Sequence, residues 1–196
     1  MRKREGNKEE KIIAAAVKVF ARNGFHDAKI SHIADQAGVA HGSVYLYFKN
    51  KQAILLRILK DLWQKLAGQV ETLASQTELT PKQKIESMLD MVFDVFTSNP
   101  ALSKVVISEQ SRLMDKDNQE VFRDYYRQFS DVSQAIFSEG VEQGVIHPEM
   151  NPEIFLQFFY GGLRYLIHVW ASGQTERSID EMRQNVKYML QNGIFK

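Results

Sequence analysis

A helical period runs through this chain almost without interruption. Apolar residues recur at three- and four-residue intervals from Ile12 to Leu190, and no stretch alternates apolar with polar long enough to form a strand. The first stripe is Ile12, Ile13, Ala16, Val17 and Phe20. It ends at Asn23-Gly24, where glycine suits the left-handed turn that closes a helix. A second long stripe follows Lys51, through Ile54, Leu55, Ile58, Leu59, Leu62 and Leu66. Later ones run from Ile85 to Phe96, from Phe122 to Phe137, from Phe155 to Trp170 and from Ile179 to Leu190. Such stripes are covered only by one another, so the fold class is all-α with about nine helices.

The punctuation agrees with that reading. Pro81, Pro100 and Pro152 each follow a capping residue (Thr80, Asn99 and Asn151), which places proline at the first helical position. Ser178 and Glu181 have the spacing of a capping box. Residues 154–171 hold one formal charge, Arg164, within a run of Phe, Tyr, Leu and Trp. A membrane span needs about 20 apolar residues, and Gln157 and His168 interrupt this one, so it reads as a helix buried by protein. The N-terminal residues lack the apolar core of a secretion signal, and a cytoplasmic location is expected.

Charge divides the chain. Residues 1–65 contain 13 Lys and Arg against 6 Asp and Glu, while the remainder contains 12 against 18. The formal net charge of +1 therefore conceals a basic head and an acidic body. A basic head suits a polyanion. The expected division is a basic, polyanion-binding domain over residues 1–50 and a larger domain over 51–196, joined within the helix that starts near Lys51. No cysteine is present, which removes thiolate chemistry and Cys-ligated zinc.

Residues 29–51 carry the most specific signal. Ser31 can cap a short helix with Ile33, Ala34 and Ala37 facing inward, and small Ala34 lets two helices cross closely. Gly38 supplies a tight turn and Val39 plugs the junction. A second short helix starts near Ala40, with Val44 and Phe48 inward and His41, Ser43, Tyr45 and Tyr47 outward. This is a helix-turn-helix, whose second helix enters the major groove of DNA. Ser and Tyr hydroxyls bond phosphate oxygens, Lys49 and Lys51 neutralise them, and a helix N-terminus at Lys51 aims its amides at the backbone. His41 can read a base or touch phosphate.

Phe20-Ala-Arg-Asn-Gly-Phe, Ile33-Ala-Asp-Gln-Ala-Gly-Val and Gly42-Ser-Val-Tyr-Leu-Tyr-Phe-Lys-Asn-Lys together resemble the DNA-binding domain of the TetR/AcrR family over about residues 8–60. Ala40 departs from the pattern, standing where the family often has a capping Ser or Thr. The resemblance implies a homodimeric transcriptional regulator, usually a repressor, that leaves a palindromic operator on double-stranded DNA when a small molecule binds its body. It implies DNA contacts at Lys29, Ser31, His41, Gly42, Ser43, Tyr45, Tyr47 and Lys51, with Gly42 admitting close approach of the backbone. The arm Arg2-Lys3-Arg4 either follows a groove or is a frayed tail.

The family likeness also implies that the last two helices pair with those of a second copy. Gly161 and Gly162 permit close approach there, with Leu163, Leu166, Ile179, Met182 and Val186 as interface candidates. The ligand cavity then lies among Met88, Val92, Phe93, Phe96, Val106, Phe122, Tyr125, Phe129, Phe155, Phe159 and Trp170, each of which can equally be plain core. Arg164, alone in an apolar run, calls for a carboxylate, a carbonyl cage or a ligand anion. The segment around Tyr45 to Lys51 is similar to that of fatty-acid-degradation regulators of the family, which implies long-chain acyl-CoA as the ligand. Arg112, Arg123, Arg127 or Arg164 would meet its head. Apolar cationic drugs suit the same walls, and a constitutive DNA-binding protein with a filled core is a further reading. No cofactor or metal is called for. An enzyme is not expected, since His26, His32, His41, His147 and His168 are scattered and no phosphate-binding glycine loop occurs.

Overall fold

In the computed structural model, residues 3–113 and 120–195 are described, with side chains over 8–109 and 123–195. The described residues form nine helices: α1 (Lys3–Asp27), α2 (Ile30–Ala37), α3 (His41–Tyr45), α4 (Lys51–Ala74), α5 (Pro81–Thr97), α6 (Pro100–Leu113), α7 (Glu120–Glu142), α8 (Pro152–Ala171) and α9 (Ile179–Gly193). They fall into two units. Residues 1–62 with 101–122 make the first, and 63–100 with 123–196 the second.

Local chemistry sets the helix ends. Thr80 accepts from the Gln83 amide while Gln83 bonds back to the Thr80 amide, so the box at α5 is complete. Asn151 Oδ1 accepts from the Ile154 amide at 3.0 Å and starts α8. Ser178 Oγ likewise takes the Glu181 amide at 3.1 Å, but the Glu181 carboxylate pairs with Arg177 at 2.6 Å. The box expected there is thus half made. Asn50, not singled out in the sequence, caps α4 by accepting from the Ala53 amide at 2.8 Å.

The first unit is built around Ile12, Ala16 and Phe20 of α1, Ile33 and Ala34 of α2, Val44 and Phe48 in and after α3, and Ile54 and Leu55 of α4, all buried. Gly24 (φ 74°, ψ 159°) breaks α1 in a conformation that L side chains rarely adopt. Arg57 on α4 pairs with Glu9 of α1 and with Asp61 one turn along, at 2.7 Å. Those carboxylates raise the guanidinium above its ordinary pKa, with the Asp61 hydrogen bond the largest cause.

In the second unit, α5, α8 and α9 pack together around Leu89, Phe93, Leu163, Met182 and Val186. Charge fastens α9 to α5: Lys187 Nζ lies 2.7 Å from Asp90, and Arg183 bridges Asp90 and Asp94 while its guanidinium lies 5.3 Å from the Phe93 ring centre. Buried Lys84 donates to the Ala74 carbonyl at 3.2 Å and meets Glu139 at 3.4 Å. At Gly140, in the last turn of α7, a Cβ would lie 2.7 Å from Ile146 Cδ1, so a larger residue there requires the buried Ile146 side chain to shift. Among the described residues, no helix is long and apolar enough to cross a membrane.

Candidate functional site

The turn between α2 and α3 works as its residues suggest. Gly38 sits in the left-handed region (φ 67°, ψ 37°), and the Val39 amide reaches back to the Ala34 carbonyl at 3.1 Å. That closes α2 and lets α3 leave at once. The N-cap of α2 is Lys29, in extended backbone, rather than Ser31 as expected. Ser31 lies one residue inside the helix, where its hydroxyl cannot serve the first amides. Ala40 occupies the N-cap of α3, and no side chain caps it. The departure at Ala40 therefore leaves α3 a short helix held by burial of Val44 rather than by a cap.

Val44 is fully buried, which turns its opposite face outward. His41, Gly42 and Tyr45 are exposed, and Ser43 and Tyr47 are half-buried. The His41 and Tyr45 rings meet edge to face at 5.5 Å, one turn apart. Nothing lies within 4 Å of the place a Gly42 Cβ would take, so the protein's own packing gives no reason for glycine there. Lys29 and Lys49 are exposed cations flanking the same segment. Leu46, which sequence reasoning does not single out, is 83% exposed.

Lys51 is placed differently from the phosphate contact expected of it. Its ammonium donates to the carbonyls of Phe25 (2.8 Å), His26 and Ala28 (3.1 Å), and it lies 4.9 Å from the Phe25 ring centre. An ammonium has three protons, and these three acceptors take them. Lys51 therefore clamps the start of α4 to the end of α1. The arm Arg2-Lys3-Arg4 lies outside the residues whose side chains are described.

The second unit holds a continuous chain of rings. Trp63 of α4 meets Tyr126 at 4.9 Å and Phe129 at 5.7 Å, both on α7. Phe129 meets Tyr160 at 5.0 Å, Tyr160 meets Phe159 at 5.6 Å, Phe159 meets Phe155 at 5.4 Å, and Phe155 stacks on Phe137 at 4.5 Å. Of the expected lining, this chain unites Phe129, Phe155 and Phe159 and adds Trp63, Tyr126, Phe137 and Tyr160. The Trp63 indole N–H is buried and makes no hydrogen bond among the described residues. The Tyr160 hydroxyl donates to Ser133 Oγ at 3.0 Å, and burial pushes this phenol above its ordinary pKa.

Other expected lining residues sit elsewhere. Met88, Val92 and Phe93 are buried on α5, with Phe93 beneath Arg183 of α9. Phe96, Tyr125 and Trp170 are half-buried, and Val106 is buried on α6 in the first unit. The side chains of Phe122 and Arg112 lie outside the described residues. An open hollow of about 530 Å³ lies beside His147, Met150 and Gly193 and involves none of the expected lining.

The outer face of α8 presents a set of residues different from the expected interface candidates. Leu163, Met182 and Val186, expected at an interface, are buried within the single chain; Leu166 and Ile179 are half-buried. The exposed stripe is instead Ile154, Phe158 and Tyr165 on α8, with Tyr188 and Met189 on α9, each at least 59% exposed. Gly161 and Gly162 do fall on this side, with nothing within 4 Å of a Cβ at either. Arg164 is exposed, so the desolvation that called for a partner does not arise within the single chain.

Comparison with known proteins matches two family models, "Bacterial regulatory proteins, tetR family" over residues 12–58 and "Tetracyclin repressor-like, C-terminal domain" over 78–194. The fatty acid metabolism regulator protein of Bacillus subtilis (strain 168) is 27% identical over 192 residues, covering 98% of each chain. The transcriptional repressor KstR2 of Mycolicibacterium smegmatis is 23% identical over 78% of this chain and 74% of its own. Among solved structures, the regulator FadR from Bacillus subtilis in complex with stearoyl-CoA superposes with a TM-score of 0.79 at 26% identity, covering 94% of this chain and 98% of that one. KstR2 of Mycobacterium tuberculosis superposes at 0.82 with 18% identity over 100% of this chain and 97% of that one, a likeness of fold.

Proposed function

Because the chain belongs to the tetR family of bacterial regulatory proteins, and is a transcriptional regulator by that membership, we propose that it is a homodimeric repressor released from a palindromic operator by long-chain acyl-CoA. The observation that carries the ligand is the end-to-end match to a fatty acid metabolism regulator. The ring chain from Trp63 to Phe137 adds physical support, since aromatic walls on three helices suit a long alkyl chain. The Trp63 N–H is a donor that a thioester carbonyl would satisfy, removing the cost of an unmade hydrogen bond.

In this reading Lys29, Ser31, His41, Gly42, Ser43, Tyr45, Tyr47 and Lys49 face DNA. Lys51 holds the reading head in place. The second copy docks on the exposed stripe of α8 and α9, where Phe158 and Tyr165 provide apolar area and Gly161 and Gly162 allow close approach. A dimer of this kind presents two recognition helices to two half-sites, which accounts for a palindrome.

The test is selection of the purified protein against random duplex DNA, with and without oleoyl-CoA. The expected result is a palindromic motif that disappears when oleoyl-CoA is present. A palindrome indifferent to it would discard the inducer and keep the regulator, and a cationic dye would then be the next ligand tried. A single unrepeated half-site would overturn the dimer.

A further inference from the structure

Among the described residues Leu46 is the most exposed of the large apolar side chains, at 83%, and it sits in the middle of the face that the fold turns away from its core. It follows the fully buried Val44 by two residues; at about 100° per residue the two side chains stand on nearly opposite sides of the turn. The geometry stays helical that far, since Leu46 has φ −71° and ψ −22° and its amide reaches the Ser43 carbonyl at 3.3 Å. Gly42, four residues earlier, lies on the same line and leaves the approach open. An isobutyl group held in water among His41, Tyr45 and Lys49 contributes nothing to this unit's core, so its use lies with a partner.

We propose that Leu46 reads thymine in the operator by packing on its 5-methyl group. The inference rests on the reading of α3 as the helix that enters the major groove. Of the bases displayed there, thymine alone offers a methyl group, and an apolar side chain is its complement. The other exposed groups of this face are a ring nitrogen, hydroxyls and an ammonium, which serve phosphates and polar base edges. Leu46 is the one large aliphatic side chain exposed on α2, α3 and the loop to α4. It therefore fixes a base identity that the polar contacts leave open.

The experiment takes the operator found by selection and replaces each thymine in turn with deoxyuridine, which removes the methyl and nothing else. One position per half-site is expected to lose about fourfold in affinity, the worth of one buried methyl group. Leu46→Ala is expected to lose a similar factor on the thymine operator and to become indifferent to deoxyuridine at that position alone. Its melting temperature should match that of the parent, because the side chain buries little in the protein. Full sensitivity to deoxyuridine retained by Leu46→Ala would overturn the proposal, as would a deoxyuridine scan with no effect anywhere. Uniform weakening across sequences would assign Leu46 to deoxyribose instead. Failure of the parent protein to select any motif would remove the underlying reading of α3, and this proposal with it.

Discussion

The reading head and the outer side of α8–α9 both hold large apolar side chains in water, and they differ in what surrounds them. On the head, Tyr45 and Leu46 are interleaved with His41, Ser43, Tyr47 and Lys49. On α8, Ile154, Phe158 and Tyr165 recur on one stripe with glycines between them and no charge in the line. An interleaved face keeps its polar groups wet until a polyanion replaces the water, and its affinity is governed by salt. A continuous stripe gains most from removing area from water, which a second apolar stripe does best. The same exposed aliphatic group thus has a different meaning in each place.

The largest expected effect comes from splitting adjacent residues of α8. Phe158 is 79% exposed and Phe159 is 8% exposed. Phe158→Glu places a charge in the proposed dimer face and should weaken dimerisation by at least ~100-fold, a loss typical of a central interface anchor. Analytical ultracentrifugation measures it, and operator affinity should fall with the dimer. Phe159→Ala should instead destabilise folding by about 3–5 kcal/mol through a core cavity, read by urea denaturation. If Phe158→Glu stays dimeric at micromolar concentration, the outer stripe is not the interface.

The second comparison lies within the head, between two lysines. Lys49 is exposed, whereas the Lys51 ammonium is spent on three carbonyls at the end of α1. Lys51→Met should lower stability by about 1.5–3 kcal/mol, the range for hydrogen bonds from a charged donor. The slope of log affinity against log salt should be unchanged by it. Lys49→Ala should leave stability alone and reduce that slope by about one for each phosphate that the lysine neutralises. The reverse pattern would return Lys51 to the DNA face.

These pairs also mark where the sequence is legible. Residues 29–48 can be read closely because the constraints are local: Gly38 needs a left-handed backbone, and Val44 and Phe48 have only one inward side. On α8 apolar residues surround most of the helix, so the period establishes a helix but cannot choose which side meets a partner. That is why Leu163 reads as an interface candidate and Phe158 as one more member of a stripe. On α9 the sides separate more cleanly, yet Met182 and Val186 are turned inward by ion pairs from Arg183 and Lys187 to α5, which are non-local. Lys49 and Lys51 look alike in sequence because the three carbonyls that distinguish them are brought up by α1, more than twenty residues earlier.

The smallest expected effect probes the ring chain from inside. Tyr160→Phe removes the hydroxyl that donates to Ser133 Oγ at 3.0 Å, while Ser133 keeps its own donation to the Phe129 carbonyl at 2.6 Å. No buried donor is stranded, so the cost at neutral pH should be about 1 kcal/mol. The pH dependence carries more information. Burial raises the Tyr160 phenol above its ordinary value of 10.0 in the folded state. The folded protein therefore holds this proton more tightly than the unfolded chain, and the stabilisation is complete below pH ~10 and declines as pH rises past it. Tyr160→Phe lacks that decline. Thermal melts of the two proteins at pH 7, 9 and 10.5 should show a gap that is constant at the first two and narrows at the third. A gap unchanged at pH 10.5 would mean that water reaches the hydroxyl, and that this part of the ring chain is already open to solvent before any ligand enters.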